Sequence, residues 1–269
     1  MAVSYLPSVT SYTNMLAGIV ALLTNPVVGF LSVGGITAEG IAFSVFRRKS
    51  FYNTSGTSEQ EYFYVLVGND SNKLILGTCV SSDGAAFTNK PPNSSLPTLQ
   101  SISFPCRVMA VANSNRVAIG VLDSAGVNQC VYVTCVNFSS LNQVNINSSP
   151  THAANMANNL QVYGKLGSSQ RLLYAGNLTD GAEYDRGCTL FNLADSFTDA
   201  LNGQIAGAVV STVGVSSDSD EYFGILDNVY LSKSTVFHTF DKPVDSAGNF
   251  YRVLKDSVSA QSLIVKESP

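Results

Sequence analysis

Three times the sequence joins two β-prone runs through a small polar turn, and no other feature constrains the fold as much. EYFYVLVGNDSNKLILGTCV, residues 61–80, pivots on Gly68-Asn69-Asp70. NRVAIGVLDSAGVNQCVYVTCV, residues 115–136, pivots on Asp123-Ser124-Ala125-Gly126. LQVYGKLGSSQRLLYAG, residues 160–176, pivots on Gly167-Ser168-Ser169. β-Branched and aromatic runs flanking such turns read as hairpins. EYFGILDNVYLSKSTVFHTF at 221–240, NFYRVLK at 249–255 and SLIVK at 262–266 add further β-like segments.

These runs are apolar at both parities. Val117, Ile119 and Val121 share one face of a strand, while Ala118 and Leu122 share the other. A strand buried on both faces needs a second layer over its sheet or a neighbouring subunit. A parallel α/β fold would need helices of ten or more residues between its strands, and the sequence has few candidates. The expectation is therefore an all-β fold, an antiparallel β-sandwich or barrel with an apolar N-terminal helix or arm and one minor additional helix. Residues 1–48 would form the arm packed on the core, and residues 49–269 a single β-rich domain.

The arm contains the first helix candidate. Residues 15–36 are apolar over a length that could span a bilayer, but Thr24-Asn25-Pro26 interrupts the run and glycines follow at 29, 34 and 35. Positive charge comes after the apolar stretch, not before it as a signal peptide requires. The pattern predicts a packed helix over 14–23, capped by Thr13 or Asn14 and ended before Pro26. A second helix is expected within 188–210, where Leu193, Phe197 and Leu201 recur at spacing four. Gly203 and Gly207 weaken its later half.

Cys130 and Cys135 raise the question of a metal or redox site. In an extended strand an odd separation sends the two thiols to opposite faces, so they can neither bridge nor share an ion. They read as buried structural cysteines. Five cysteines, an odd number, with no signal peptide fit synthesis in a reducing cytoplasm.

Other chemical motifs are sparse. His152 and His238 have no metal-binding spacing, and His238 in TVFHTF reads as a partly buried strand residue. No nucleophile-elbow sequence occurs. GKLGSSQR at 164–171 has the wrong order for a phosphate loop and reads as a turn. Asp180, Glu183 and Asp185 form the calcium candidate, with Asp218, Asp220 and Glu221 a second acidic group, although neither has the spacing of a known calcium loop. Exposed loops explain both more simply. DSAG occurs at 123 and at 245, a repeat short enough to arise from turn chemistry alone.

Charged residues make up 13% of the chain, against about 25% in an average domain, and the net charge is −4. Arg47, Arg48 and Lys49 are its one basic cluster, too small for a genome-wrapping role, so no specific nucleic-acid binding is expected. A surface of Ser, Thr, Asn, Gln and Gly suits repeated protein contacts, because few charges need desolvation when subunits pack. The sequence thus points to a non-enzymatic, self-associating structural protein of a virion shell, tail or other extracellular assembly. Its partners would be copies of itself or other structural subunits, with no cofactor and no membrane span. Leu16, Ile19, Leu23 and Phe30 are the candidate contact residues. Two alternatives stand beside it: a glycan- or receptor-binding module using residues such as Tyr62, Tyr64, Tyr132, Tyr163 and Tyr230, and a hydrolase using serine or carboxylates.

Overall fold

The computed structural model describes residues 1–49, 62–79, 81–82, 87–88, 90–113, 115–136, 161–174, 184–192, 202–205, 208–216 and 222–267. Strand β1 (Ala2–Val9) leads into helix α1 (Tyr12–Leu23), followed by β2 (Leu31–Ala38), β3 (Ile41–Lys49), β4 (Tyr62–Asn69) and β5 (Lys73–Gly77). The short β6 (Ser81–Ser82) and β7 (Phe87–Thr88) pair with each other, and β8 (Thr98–Gln100) follows. Next come β9 (Cys106–Asn113), β10 (Arg116–Leu122), β11 (Asn128–Cys135), β12 (Gln161–Lys165), β13 (Gln170–Tyr174) and β14 (Tyr184–Asn192). The chain continues with β15 (Asn202–Ile205), β16 (Ala208–Ser216), β17 (Tyr222–Ser232), β18 (Tyr251–Lys255) and β19 (Ser262–Lys266).

The expected all-β architecture is present. A curled antiparallel sheet of 12 strands runs β1-β9-β10-β11-β12-β13-β14-β16-β17-β19-β18, with β15 attached to β16. A second, five-stranded sheet runs β2-β3-β4-β5-β8. The three hairpins read from the sequence are β4–β5, β10–β11 and β12–β13.

Two-sided burial has a direct cause. Val117, Ile119, Val121, Val131, Val133 and Cys135 face a core shared with α1 and the five-stranded sheet. Ala118, Cys130 and Tyr132 face a second core inside the curl, where they meet Leu254, Leu263 and Val265. Each fully buried Val, Ile or Leu contributes about 1.5–3 kcal/mol relative to exposure, so β9–β11 are anchored strongly from both faces. At Gly120 a β-carbon would lie 2.8 Å from Leu254 Cδ2, so glycine is what lets β18 approach there. A buried Thr78–Gln161 hydrogen bond links the two sheets. The Ile102 N–H donated to the Tyr12 hydroxyl at 3.1 Å ties helix α1 to the connection between β8 and β9.

Helix α1 starts two residues earlier than expected. Ser11 has extended backbone angles, and its hydroxyl accepts the Asn14 N–H at 3.2 Å, so it is the cap in place of Thr13 or Asn14. Tyr12, Met15, Ile19, Leu22 and Leu23 form its buried face. The helix stops at Thr24, just before Pro26. No helix among the described residues is long and apolar enough to cross a membrane. The N-terminal segment also supplies strands to both sheets: β1 pairs with β9, β2 with β3, and β3 with β4. A boundary at 48/49 falls at the last residue of β3.

The expected second helix is flanked by strands on both sides, and the residues that suggested it, Leu193, Phe197 and Leu201, lie outside the described residues. Residues 184–192, 202–205 and 208–216 are strands. The β-branched Val209 and Val210 favour a ladder where pairing partners are available, and Gly203 weakens the helical alternative.

Aspartates shape the turns. Asp70 Oδ1 accepts the N–H groups of Asn72 and Lys73, and Asp256 Oδ1 accepts those of Val258 and Ser259. The two DSAG segments form the same turn. Asp123 Oδ1 accepts Ala125 N–H at 2.9 Å and Val127 N–H at 2.8 Å, and Asp245 Oδ1 accepts Ala247 and Asn249 N–H at those same distances. Gly126 and Gly248 hold φ of 83° and 82°, the left-handed region that glycine enters without strain.

Candidate functional site

A sheet edge exposes a row of unpaired N–H and C=O groups, and proteins ordinarily block it with proline, charge, shortness or a covering segment. Among the described residues, the two main sheets end in four strands, β1, β18, β2 and β8, and three of them have such a device. Beyond β18, the Tyr251 and Val253 N–H groups donate to Pro243 and Asp241 carbonyls, and Phe240 N–H donates to Val253 O. On β1, Pro7 removes a donor and Tyr5 packs edge-on against Phe240 with ring centroids 5.7 Å apart. The segment that covers β18 therefore also reaches β1. In the smaller sheet, β8 is only three residues long.

The fourth edge, β2, differs. It is eight residues long, has no proline or charged side chain, and pairs only with β3 among the described residues. No charged side chain precedes Glu39 in the chain. Leu31 at the strand entry is 64% exposed, and Val27 just upstream is 69% exposed. Val33 and Ile36 pack against the core below, which fixes the strand on its inner face. Its one irregularity is a bulge between Ser32 and Gly34.

The turn sets which amides point outward. Glu39 and Gly40 join β2 to β3 with φ of 50° and 77°, a type I′ turn in which the flanking Ala38 and Ile41 exchange hydrogen bonds. Antiparallel bonding alternates, so Ile36 bonds with Phe43, while Gly35 and Thr37 aim their N–H and C=O groups away from β3. The tip is braced from one side. Glu39 accepts the Asn93 N–H at 2.9 Å and pairs with Lys90 at 3.3 Å, and Asn93 Nδ2 donates to Ala38 O at 3.1 Å. The Asn93 N–H, followed by Lys90, holds the Glu39 carboxyl below its ordinary range despite some opposing desolvation. The result is a neutral, fixed strand with outward backbone groups, a geometry suited to adding another strand.

The residues singled out in the sequence fall elsewhere. Ile19, Leu23 and Phe30 are buried in the chain's own core and Leu16 is half-buried against it, so these side chains are not available as an outer contact surface. Of the calcium candidate, Asp180 and Glu183 lie outside the described residues. Asp185 sits within β14 opposite Leu173, and its side chain too lies outside the description. Asp218, Asp220, Glu221 and His152 also lie outside it. No cluster of three or more His, Cys, Asp or Glu able to hold a metal occurs among the described residues.

His238 is not the strand residue expected. It is exposed beyond the end of β17, and its backbone N–H donates to Asp241 Oδ2 at 2.6 Å. Tyr64, Tyr132 and Tyr163 are fully buried and offer no ring to a surface ligand. Tyr62 is half-buried under Arg47, which lies 4.5 Å from its ring centroid. Tyr230 packs edge-on against Tyr251. Cys130 and Cys135 face different cores, as their spacing requires. Burial raises the Cys130 thiol far above its ordinary range, and burial, followed by the nearby Asp123 charge, raises Cys106 to about 11. Both thiols stay protonated near neutral pH and are weak nucleophiles.

The β2 edge is not among the sites expected from the sequence. Its local signal was the lack of charge before Glu39, but edge position depends on pairing between distant segments. No protein-family model and no curated protein matches the chain.

Proposed function

We propose that the protein is a non-enzymatic structural subunit that associates with copies of itself or with other structural subunits in a repeated assembly. A virion shell or tail is the assembly to which we assign it. One observation carries this reading: β2 is an uncharged, fixed sheet edge without a cover among the described residues, while β1, β8 and β18, the other end strands of the two main sheets, are short, covered or proline-bearing. A surface with few charges supports it, because polar neutral groups lose less hydration on packing than ions do.

The test is the mass of the native protein by light scattering over a concentration series, with negative-stain images of the main peak. Discrete oligomers, rings, tubes or shells are expected. A monomer at every concentration would overturn the reading.

A further inference from the structure

We infer that β2 pairs antiparallel with β2 of a second copy across a two-fold axis, joining two five-stranded sheets into one continuous sheet. This rests on the self-association reading and names the surface and the partner. An antiparallel pair of identical strands is isologous, since each strand presents to its mate the groups that the mate presents back. Most edges resist such pairing by opposing like charges or by lacking donors. Neither obstacle exists here: Leu31–Ala38 holds no charged residue and no proline. The chain leading into the strand is equally neutral, so a second copy meets no repulsion from Val27 to the turn.

The outward N–H and C=O groups of Gly35 and Thr37 provide the hydrogen bonds. Gly34 and Gly35 add no side chain at the centre of the edge, leaving room for a second backbone. Exposed Leu31 and Val27 lie at one end, where apolar surface can be buried beside the added strand. A neutral copy matches this edge better than a charged peptide, which would leave its ions unpaired against a strand with no counter-charge.

Thr37→Pro tests the pairing. Thr37 is exposed and its N–H points away from β3, so proline removes an outward donor and leaves the β2–β3 ladder intact. Leu31→Lys is the second variant and adds a charge of the kind that edges ordinarily carry. Val258→Lys is the control, at an 85% exposed loop position between β18 and β19. Each full-length protein is measured by light scattering over a concentration series and by thermal melting.

Wild type and Val258→Lys are expected to associate alike. Thr37→Pro and Leu31→Lys should each weaken the dissociation constant about 10- to 100-fold, because the two-fold axis applies each change twice. Their melting when fully dissociated should match that of dissociated wild type. If both variants fold and associate like wild type, the β2 pairing is wrong while self-association stands. If wild type is a monomer throughout, both readings fail, and a strand from a different protein becomes the remaining occupant. If Thr37→Pro fails to fold, Leu31→Lys decides between these outcomes.

Discussion

The two DSAG turns have the same sequence and backbone but different roles. At Asp123 the first carboxylate oxygen shapes the turn, while Oδ2 reaches across the chain to accept the Ser103 N–H at 3.1 Å. Ser124 returns the contact by donating its N–H to Ser103 O at 3.0 Å. At Asp245, Oδ2 stays local, accepting the Asn249 amide and the Tyr251 hydroxyl, each at 2.7 Å. Asp123 is buried, and Asp245 is partly exposed. Four residues therefore suffice to dictate a turn, but the surroundings decide whether it also fastens distant chain. The Asp123 side chain is a tertiary clamp and the Asp245 side chain a local hairpin brace, although the Asp245 backbone also bridges Ile205 of β15.

The largest expected effect tests that distinction. Asp123→Ala leaves the N–H groups of Ala125, Val127 and Ser103 without their acceptor in a part-buried setting and should cost about 1–3 kcal/mol of stability in denaturant unfolding. Asp245→Ala should cost clearly less. Equal losses would break the comparison and mean that the Ser103 link carries no weight.

The glycines should behave alike. Gly126→Ala and Gly248→Ala meet no atom within 4 Å at either site, so only backbone strain remains. Each should lose about 1 kcal/mol, and the two losses should agree within about 0.5 kcal/mol. A large difference would show that the two backbones are not equivalent in solution.

The smallest effect is pH-dependent and belongs to the second turn. Hydrogen bonds, led by that of the Asn249 side chain and joined by that of Tyr251, lower the Asp245 carboxyl from the ordinary value of 3.8 to about 2. A depressed acid stabilises the fold fully above its unfolded value, and that contribution is lost as pH falls through the folded one. The melting-temperature gap between wild type and Asp245→Asn should therefore be constant above about pH 4 and shrink toward pH 2. A gap that ignores pH over this window would remove Asp245 from the account.

The fold was legible wherever sequence and partner lay close together. Hairpins at β4–β5, β10–β11 and β12–β13 carry their turns and their alternation in one stretch. The opposite faces of Cys130 and Cys135 followed from strand geometry alone. Strands β1 and β2 were not read, because Pro7 and the Gly34-Gly35 pair argue locally against a strand. Pairing with β9 and β3 overrides those preferences. Spacing four suggested a helix near 188–210, but partners β13, β16 and β17 draw its described flanks into ladders. The candidate site was hidden for the same reason, since whether a strand is an edge is a property of the whole sheet.

The fit of Gly120 beneath Leu254 bears on how the chain avoids folding wrongly. β10 has a bulky side, Val117, Ile119 and Val121, and an opposite side that is slender at its centre, Ala118 and Gly120 between Arg116 and Leu122. If β10 slipped by one residue against its neighbours, the bulky side would turn into the interior of the curl and collide with Leu254. The native register is thus the one that sets Gly120 beneath Leu254.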